Sequence, residues 1–251
     1  MALWQGMLLI SIRAFAVAAA ENLQRFAQRC VPPQRFLNVI GVLIAVCTAP
    51  LDMIAYSLAP QSVLAPFGML SLVMNFGMAH IHGDVLRRRD ALATVLVIAG
   101  SVICLFNGAT SNEGPAPVPP TEALLFYAVF VSICCTVLGC VLAAPRKIGR
   151  RTDAVISALL AGTLGSSSLT ASKILATSVT SHEATLASVA MACVPLPLLV
   201  PVHLFVLNRG FGRHPLVFMS PVIGTVGLLA NVTTGCLLYN ETPVAPTRFG
   251  G

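Results

Sequence analysis

Eight runs of roughly 20 mostly apolar residues fill this chain, and that length is what a helix needs to cross the hydrocarbon core of a bilayer. They cover residues 2–20, 37–57, 62–82, 91–108, 123–144, 154–178, 184–207 and 216–239. What lies between them cannot compensate for so much apolar surface. Only 10% of the 251 residues are charged and the mean hydropathy is +0.85, whereas soluble domains carry about 25% charged residues. Charge that sparse cannot coat a water-facing surface, so a soluble enzyme, a nucleic-acid binder and a disordered linker are excluded. The expected fold is an all-α polytopic membrane helix bundle. No GxSxG, Walker A or HExxH pattern is present, and no enzymatic activity or bound cofactor is expected.

The net charge of +6 reflects topology rather than an acidic partner. Twelve of the 15 Lys and Arg fall in four inter-span loops: Arg25, Arg29 and Arg35; Arg87, Arg88 and Arg89; Arg146, Lys147, Arg150 and Arg151; Arg209 and Arg213. The loops that alternate with these, around 58–61, 109–122 and 179–183, hold none. The positive-inside rule then puts the basic loops in the cytosol and both termini on the other side. The chain is expected to be an integral, multi-pass membrane protein whose partners are the lipid bilayer and a small solute or cation, with no nucleic acid. A homodimer is compatible with the pattern. Seven of the eight cysteines lie inside apolar runs, where a thiol acts as a small hydrophobe, and their spacing suggests no disulfide framework.

The Gly- and Pro-rich stretch Gly114-Pro115-Ala116-Pro117-Val118-Pro119-Pro120 reads as an extended external linker over 109–122. It separates a first membrane half (1–108, spans 1–4) from a second (123–241, spans 5–8), with a short external tail at 242–251. Asn240-Glu241-Thr242 forms a glycosylation sequon on the outer side. A weak repeat links the halves. Span 3 carries Pro66, Asn75 and Asp84, and span 8 carries Pro221, Asn231 and Glu241, each a Pro, then an Asn, then a carboxylate at similar offsets. The loop charges orient these two spans oppositely, which is the signature of an inverted repeat with a solute path at the repeat interface.

Polar residues inside apolar spans are the candidate site. Asp52 lies about 15 residues into span 2, roughly 22 Å from the cytosolic end. A carboxylate at that depth should face the bundle interior or a watery path. A purely structural pairing with Arg13 or Lys173 is the competing role. Pro50, Pro60 and Pro66 each remove a backbone donor, leaving carbonyls free to line a cavity. Asn75 and Asn231 offer neutral oxygens to a cation or an interhelical hydrogen bond. Asp84 and Glu241, at opposite faces, are entry carboxylates or ordinary interfacial residues. Lys173, near the outer end of span 6, is placed to snorkel; it and Arg13 read first as structural counter-ions for Asp52 or Glu21, and either would alternatively suit an anion. The small residues Gly162, Gly165, Ser166, Ser167 and Ser168 permit close helix packing. His80 and His82, two apart on a helix, do not converge on one metal.

The run Ala55-Tyr56-Ser57-Leu58-Ala59-Pro60-Gln61-Ser62-Val63-Leu64-Ala65-Pro66-Phe67-Gly68-Met69-Leu70-Ser71 resembles the signature of NIPA-type magnesium transporters, which belong to the drug/metabolite transporter superfamily. Ala144-Pro145-Arg146 with Gly149, Gly162 and Gly165-Ser166 leading to Ser172-Lys173, and the Pro221 span ending in Tyr239-Asn240-Glu241, are similar to further family patterns. The resemblance spans residues 36–241. Where the family has Gly-Glu in its second span this chain has Ala49-Pro50, Asp52 replaces an Asn, and Asp84 stands for a Glu. The resemblance implies magnesium as the transported ion; with the polar and proline residues above, the expected substrate path runs through Asp52, Tyr56, Pro60, Pro66, Asn75, Lys173, Pro221 and Asn231, with metal contacts at Asp52, Asp84 and Glu241. Transport by alternating access around a midplane site is the expectation. Two alternatives stay open: a carrier for a small organic anion, and a transport-inactive adaptor, since the chain ends soon after Glu241 where the family carries one more span.

Overall fold

The computed structural model describes residues 2–30, 32–81, 88–106, 121–143, 149–180 and 196–239. Among them all regular structure is helical, as the apolar runs require. The helices are α1 (Ala2–Arg29), α2 (Arg35–Cys47), α3 (Ala49–Leu58), α4 (Gln61–Gly68), α5 (Leu70–Ile81), α6 (Arg88–Phe106), α7 (Thr121–Ala143), α8 (Arg150–Thr180), α9 (Leu196–Arg213) and α10 (Leu216–Tyr239). Five stretches are long and apolar enough to cross a membrane: Leu3–Arg29, Arg35–Leu58, Gln61–Met78, Arg151–Ser178 and Val217–Tyr239. With exposed side chains such as Phe126, Leu229 and Ile103 on its outer surface, the bundle is that of an integral membrane protein. Most of the 109–122 linker, the 242–251 tail, Asp84 and Glu241 lie outside the described residues.

Several boundaries differ from the reading of the sequence. The first helix continues past residue 20 to Arg29 and stops just ahead of Pro32 and Pro33, where proline disfavours the helical conformation of the residue before it. Asn22, Gln24 and Arg25 on this extension are buried, so Arg25 belongs to the bundle and not to a loop. Arg209 and Arg213 ride on the last turns of α9, and Arg150 and Arg151 on the first turn of α8.

Spans 2 and 3 are each two helices. Pro50 cannot donate to the backbone ladder, and the chain breaks at Thr48, whose N–H still reaches the Ile44 carbonyl. Pro66 does the same to the next span, which breaks at Met69. Pro60, extended at the head of α4, accepts from the Val63 and Leu64 N–H groups through its carbonyl.

Three long helices organise the rest. α1 packs on α2, α3, α4 and α5; α8 packs on α3, α7, α9 and α10; and α10 also meets α4, α5 and α6. Close approach depends on small residues. A Cβ on Gly162 would stand 2.8 Å from the Val226 Cβ and 3.0 Å from the Ile223 carbonyl oxygen, and one on Gly165 would stand 2.8 Å from the His203 ring. A Cβ on Gly41 would meet Gln24 at 2.6 Å where α2 crosses α1. The small-residue stripe of α8 thus lets α9 and α10 close in. Ala158, Ala161, Leu164, Leu207, Phe211 and Met219 then form the apolar cluster joining these helices. A second cluster of Ile10, Ala55, Tyr56, Ala59 and Leu64 locks α1 to α3 and α4.

Candidate functional site: a polar cavity between the long helices

Each long helix turns one stripe inward. On α1 it is Ile10, Arg13, Val17, Glu21 and Gln24, at the three- and four-residue spacing that keeps side chains on one face. On α10 it is Ser220, Gly224, Gly227 and Asn231. Together with residues of α2–α5, α8 and α9 these stripes line a partly open cavity of ≈ 210 Å³, room for several water molecules.

Two carboxylates and one guanidinium line it. The break at Thr48 makes Asp52 a first-turn residue of α3, where the helix dipole favours negative charge. Its side chain is 6% exposed, and Arg13 Nε donates to it from 3.1 Å, equally close to Oδ1 and Oδ2. Glu21 lines the same cavity from α1. Asn75 Nδ2 donates to Glu21 Oε2 at 2.6 Å. Among the described residues, no three His, Cys, Asp or Glu side chains stand close enough together to hold a metal ion.

Polar networks cross between helices at either end of this cavity. At one end Asn75 Nδ2 also donates to Ser220 Oγ at 3.1 Å, while its Oδ1 accepts from Asn22 Nδ2 at 2.7 Å. At the other end Asn231 Oδ1 accepts from Gln61 Nε2 at 2.9 Å and Ser166 Oγ at 3.1 Å. Gln61 Nε2 further reaches Thr234 Oγ1 at 3.1 Å and Thr170 Oγ1 at 3.3 Å. The middle of α5 thus meets the start of α10, and the start of α4 meets the late part of α10. These spans therefore run in opposite directions.

The residues singled out from the sequence separate accordingly. Asp52, Tyr56 and Asn231 line the cavity, and Asn75 adjoins it through Glu21. Both asparagine oxygens accept from protein donors in this conformation. Pro60, Pro66 and Pro221 shape the flanking helices without lining it. Lys173 does not snorkel: it is fully buried, with its ammonium 3.9 Å from the centre of the Tyr239 ring, an attraction between a cation and the negative face of an aromatic ring.

Sequence reasoning gave Glu21 only as a carboxylate that Arg13 or Lys173 could balance, and left it off the solute path, because it ended the first span at residue 20. It passed over Gln61, Ser220 and His203. His203 lines the cavity, and its Nδ1 lies 2.9 Å from the Ala161 carbonyl. A carbonyl only accepts, so Nδ1 carries a proton. The available signal was a polar residue within an apolar run.

Fold and cavity define an α-helical integral membrane protein with a partly open, charged cavity between its long helices. No family model matches the chain, and no solved structure matches it. A curated protein of Arabidopsis thaliana, "Probable magnesium transporter NIPA8", is similar to it, at 21% identity over 229 aligned residues, covering 82% of this chain and 52% of that protein. The chain therefore spans about half the length of the curated relative it matches.

Proposed function

We propose that this chain is a multi-span membrane transporter that moves a small cation, magnesium first among them, by alternating access around the cavity holding Asp52 and Glu21. The observation that carries the reading is two carboxylates lining one cavity in a membrane bundle. Isolated charges are too costly there to persist without a partner or a watery path. Magnesium is a hard ion that gives up water reluctantly and is commonly bound through one or two carboxylates. A cavity of ≈ 210 Å³ leaves room for an ion that keeps water around it. The similarity to a protein described as a magnesium transporter supports the same choice of ion.

The mechanism that fits is rocking of spans 1–4 against spans 5–8, related as an inverted repeat. The Asn75–Ser220 and Gln61–Asn231 contacts would open in turn, one on each side of the cavity. Asp84 and Glu241 remain proposed entry carboxylates. The alternative of an organic-anion carrier rests on Arg13 alone, since Lys173 is turned toward Tyr239 and away from the cavity, and Arg13 is outnumbered there by two carboxylates.

The test is magnesium uptake into liposomes with an internal fluorescent reporter. Wild type should show uptake; Asp52→Asn and Glu21→Gln should lose most of it, while Lys173→Gln should keep much of it. Folded wild-type protein that moves no magnesium would overturn the ion assignment.

A further inference from the structure

Asp52 does not stand open to an arriving ion, because Arg13 already occupies it. The way the pair is built matters. An arginine fork binds a carboxylate most strongly when two parallel N–H groups are engaged. Here a single nitrogen, Nε, lies 3.1 Å from both carboxylate oxygens. Arg13 and Asp52 both line the cavity, and the Arg13 side chain is 22% exposed against 6% for Asp52. The carboxylate is thus fixed on a short side chain at the start of α3, whereas the guanidinium sits on a long flexible arm with room to withdraw. The two helices that carry them are themselves firmly joined: a Cβ on Gly6 would stand 3.2 Å from the Ala55 carbonyl oxygen and 3.2 Å from the Ala59 Cβ. The side-chain contact can therefore break without parting the helices.

We propose that Arg13 is a tethered stand-in for the transported cation. In the empty cavity its guanidinium neutralises Asp52, and an arriving cation takes that place while the arm swings aside. This deepens the transport reading above and rests on it for the identity of the ion. Its consequence is specific. A carrier must return empty after releasing its cargo, and the return is slow if it leaves a buried carboxylate without a partner. Arg13 covers that step, at the cost of competing with the ion for Asp52.

Arg13→Gln should therefore bind the cation more tightly and fail at the empty return. Leaving a buried charge unpaired is worth at least about tenfold in an equilibrium constant. Three quantities are read on the full chain in liposomes: magnesium binding, net magnesium uptake, and exchange of isotopic magnesium with magnesium loaded on both sides. In Arg13→Gln we expect binding tighter by about tenfold or more and net uptake lower by about tenfold or more, with isotopic exchange persisting because loaded carriers need no empty return. Arg13→Lys, which restores a cation on a flexible stem, should recover net uptake. The uncharged pair Arg13→Gln with Asp52→Asn checks that the helices still assemble, and it should lose the tight binding.

Loss of exchange together with net uptake in Arg13→Gln, or unchanged binding, would overturn the proposal and leave Arg13 a packing residue. Tighter binding in Arg13→Gln with no magnesium flux in wild type would uphold the displacement and overturn the transport reading instead. No magnesium binding in any variant would overturn both.

Discussion

The Gln61–Asn231 contact tests whether the end of the cavity that it crosses is held by specific hydrogen bonds or by apolar packing alone. Both residues are buried, at 0% and 5% exposure, and they come from helices 170 positions apart in sequence. The perturbation is a double-mutant cycle: Gln61→Met, Asn231→Leu and the pair. These near-isosteric changes remove the polar atoms while keeping the volume. Interhelical hydrogen bonds measured this way in a membrane average about 0.6 kcal/mol and reach about 1.7. When Asn231 is lost, the Gln61 amide keeps Thr234 and Thr170 as acceptors, which softens the loss, while the Ser166 hydroxyl loses its acceptor at 3.1 Å. A coupling of about 1 kcal/mol between positions 61 and 231 follows. The assay is unfolding in mixed micelles by titration with a denaturing detergent, followed by helical circular dichroism. Single-mutant effects that add within about 0.3 kcal/mol would show no coupling and refute this account of the contact.

Two further outcomes follow from packing and charge. Gly162→Val should force α8 and α10 apart, because even a Cβ would stand 2.8 Å from the Val226 Cβ. A cost of about 1–3 kcal/mol should appear as a lower unfolding midpoint, with Gly227→Ala, which meets nothing within 4 Å, as the control. His214 Nε2 lies 2.8 Å from Asp153 Oδ2, tying the turn before α10 to the first turn of α8. His214→Ala should cost about 1 kcal/mol, and less than an unpaired buried acid would, because the dipole of α8 still favours Asp153. An effect of zero in the same titration would mean that the pair contributes nothing.

How far the site was legible in the sequence depends on the residue. Asp52 was legible because a carboxylate 15 residues into an apolar run is expensive wherever the helix points. Its candidate partners were reduced to Arg13 and Lys173 by elimination, yet nothing in the spacing could choose between them. Glu21 was left off the solute path because hydropathy falls off at residue 20, whereas the helix itself continues to Arg29, just ahead of the prolines at 32 and 33. Burial of Asn22, Gln24 and Arg25 inside the bundle keeps that polar stretch helical, which is a tertiary effect. Lys173 was read as a snorkelling residue from its position near a span end. Its burial against Tyr239 depends on the way α8 and α10 rotate about each other.

The sequence by itself determined the solvent and the class of fold. Long apolar runs with sparse charge admit only helices in a bilayer, since every backbone group must find its partner within its own segment. It also marked the polar residues whose presence there needs explaining. Only the tertiary structure decided which of them meet. Helix rotation and approach are set by close packing at Gly6, Gly41, Gly162 and Gly165, and that packing brings Arg13 to Asp52 across 39 positions and Asn75 to Glu21 across 54. Hydropathy along one dimension carries no information about such rotations, because a polar residue costs the same on every face until its neighbours are in place.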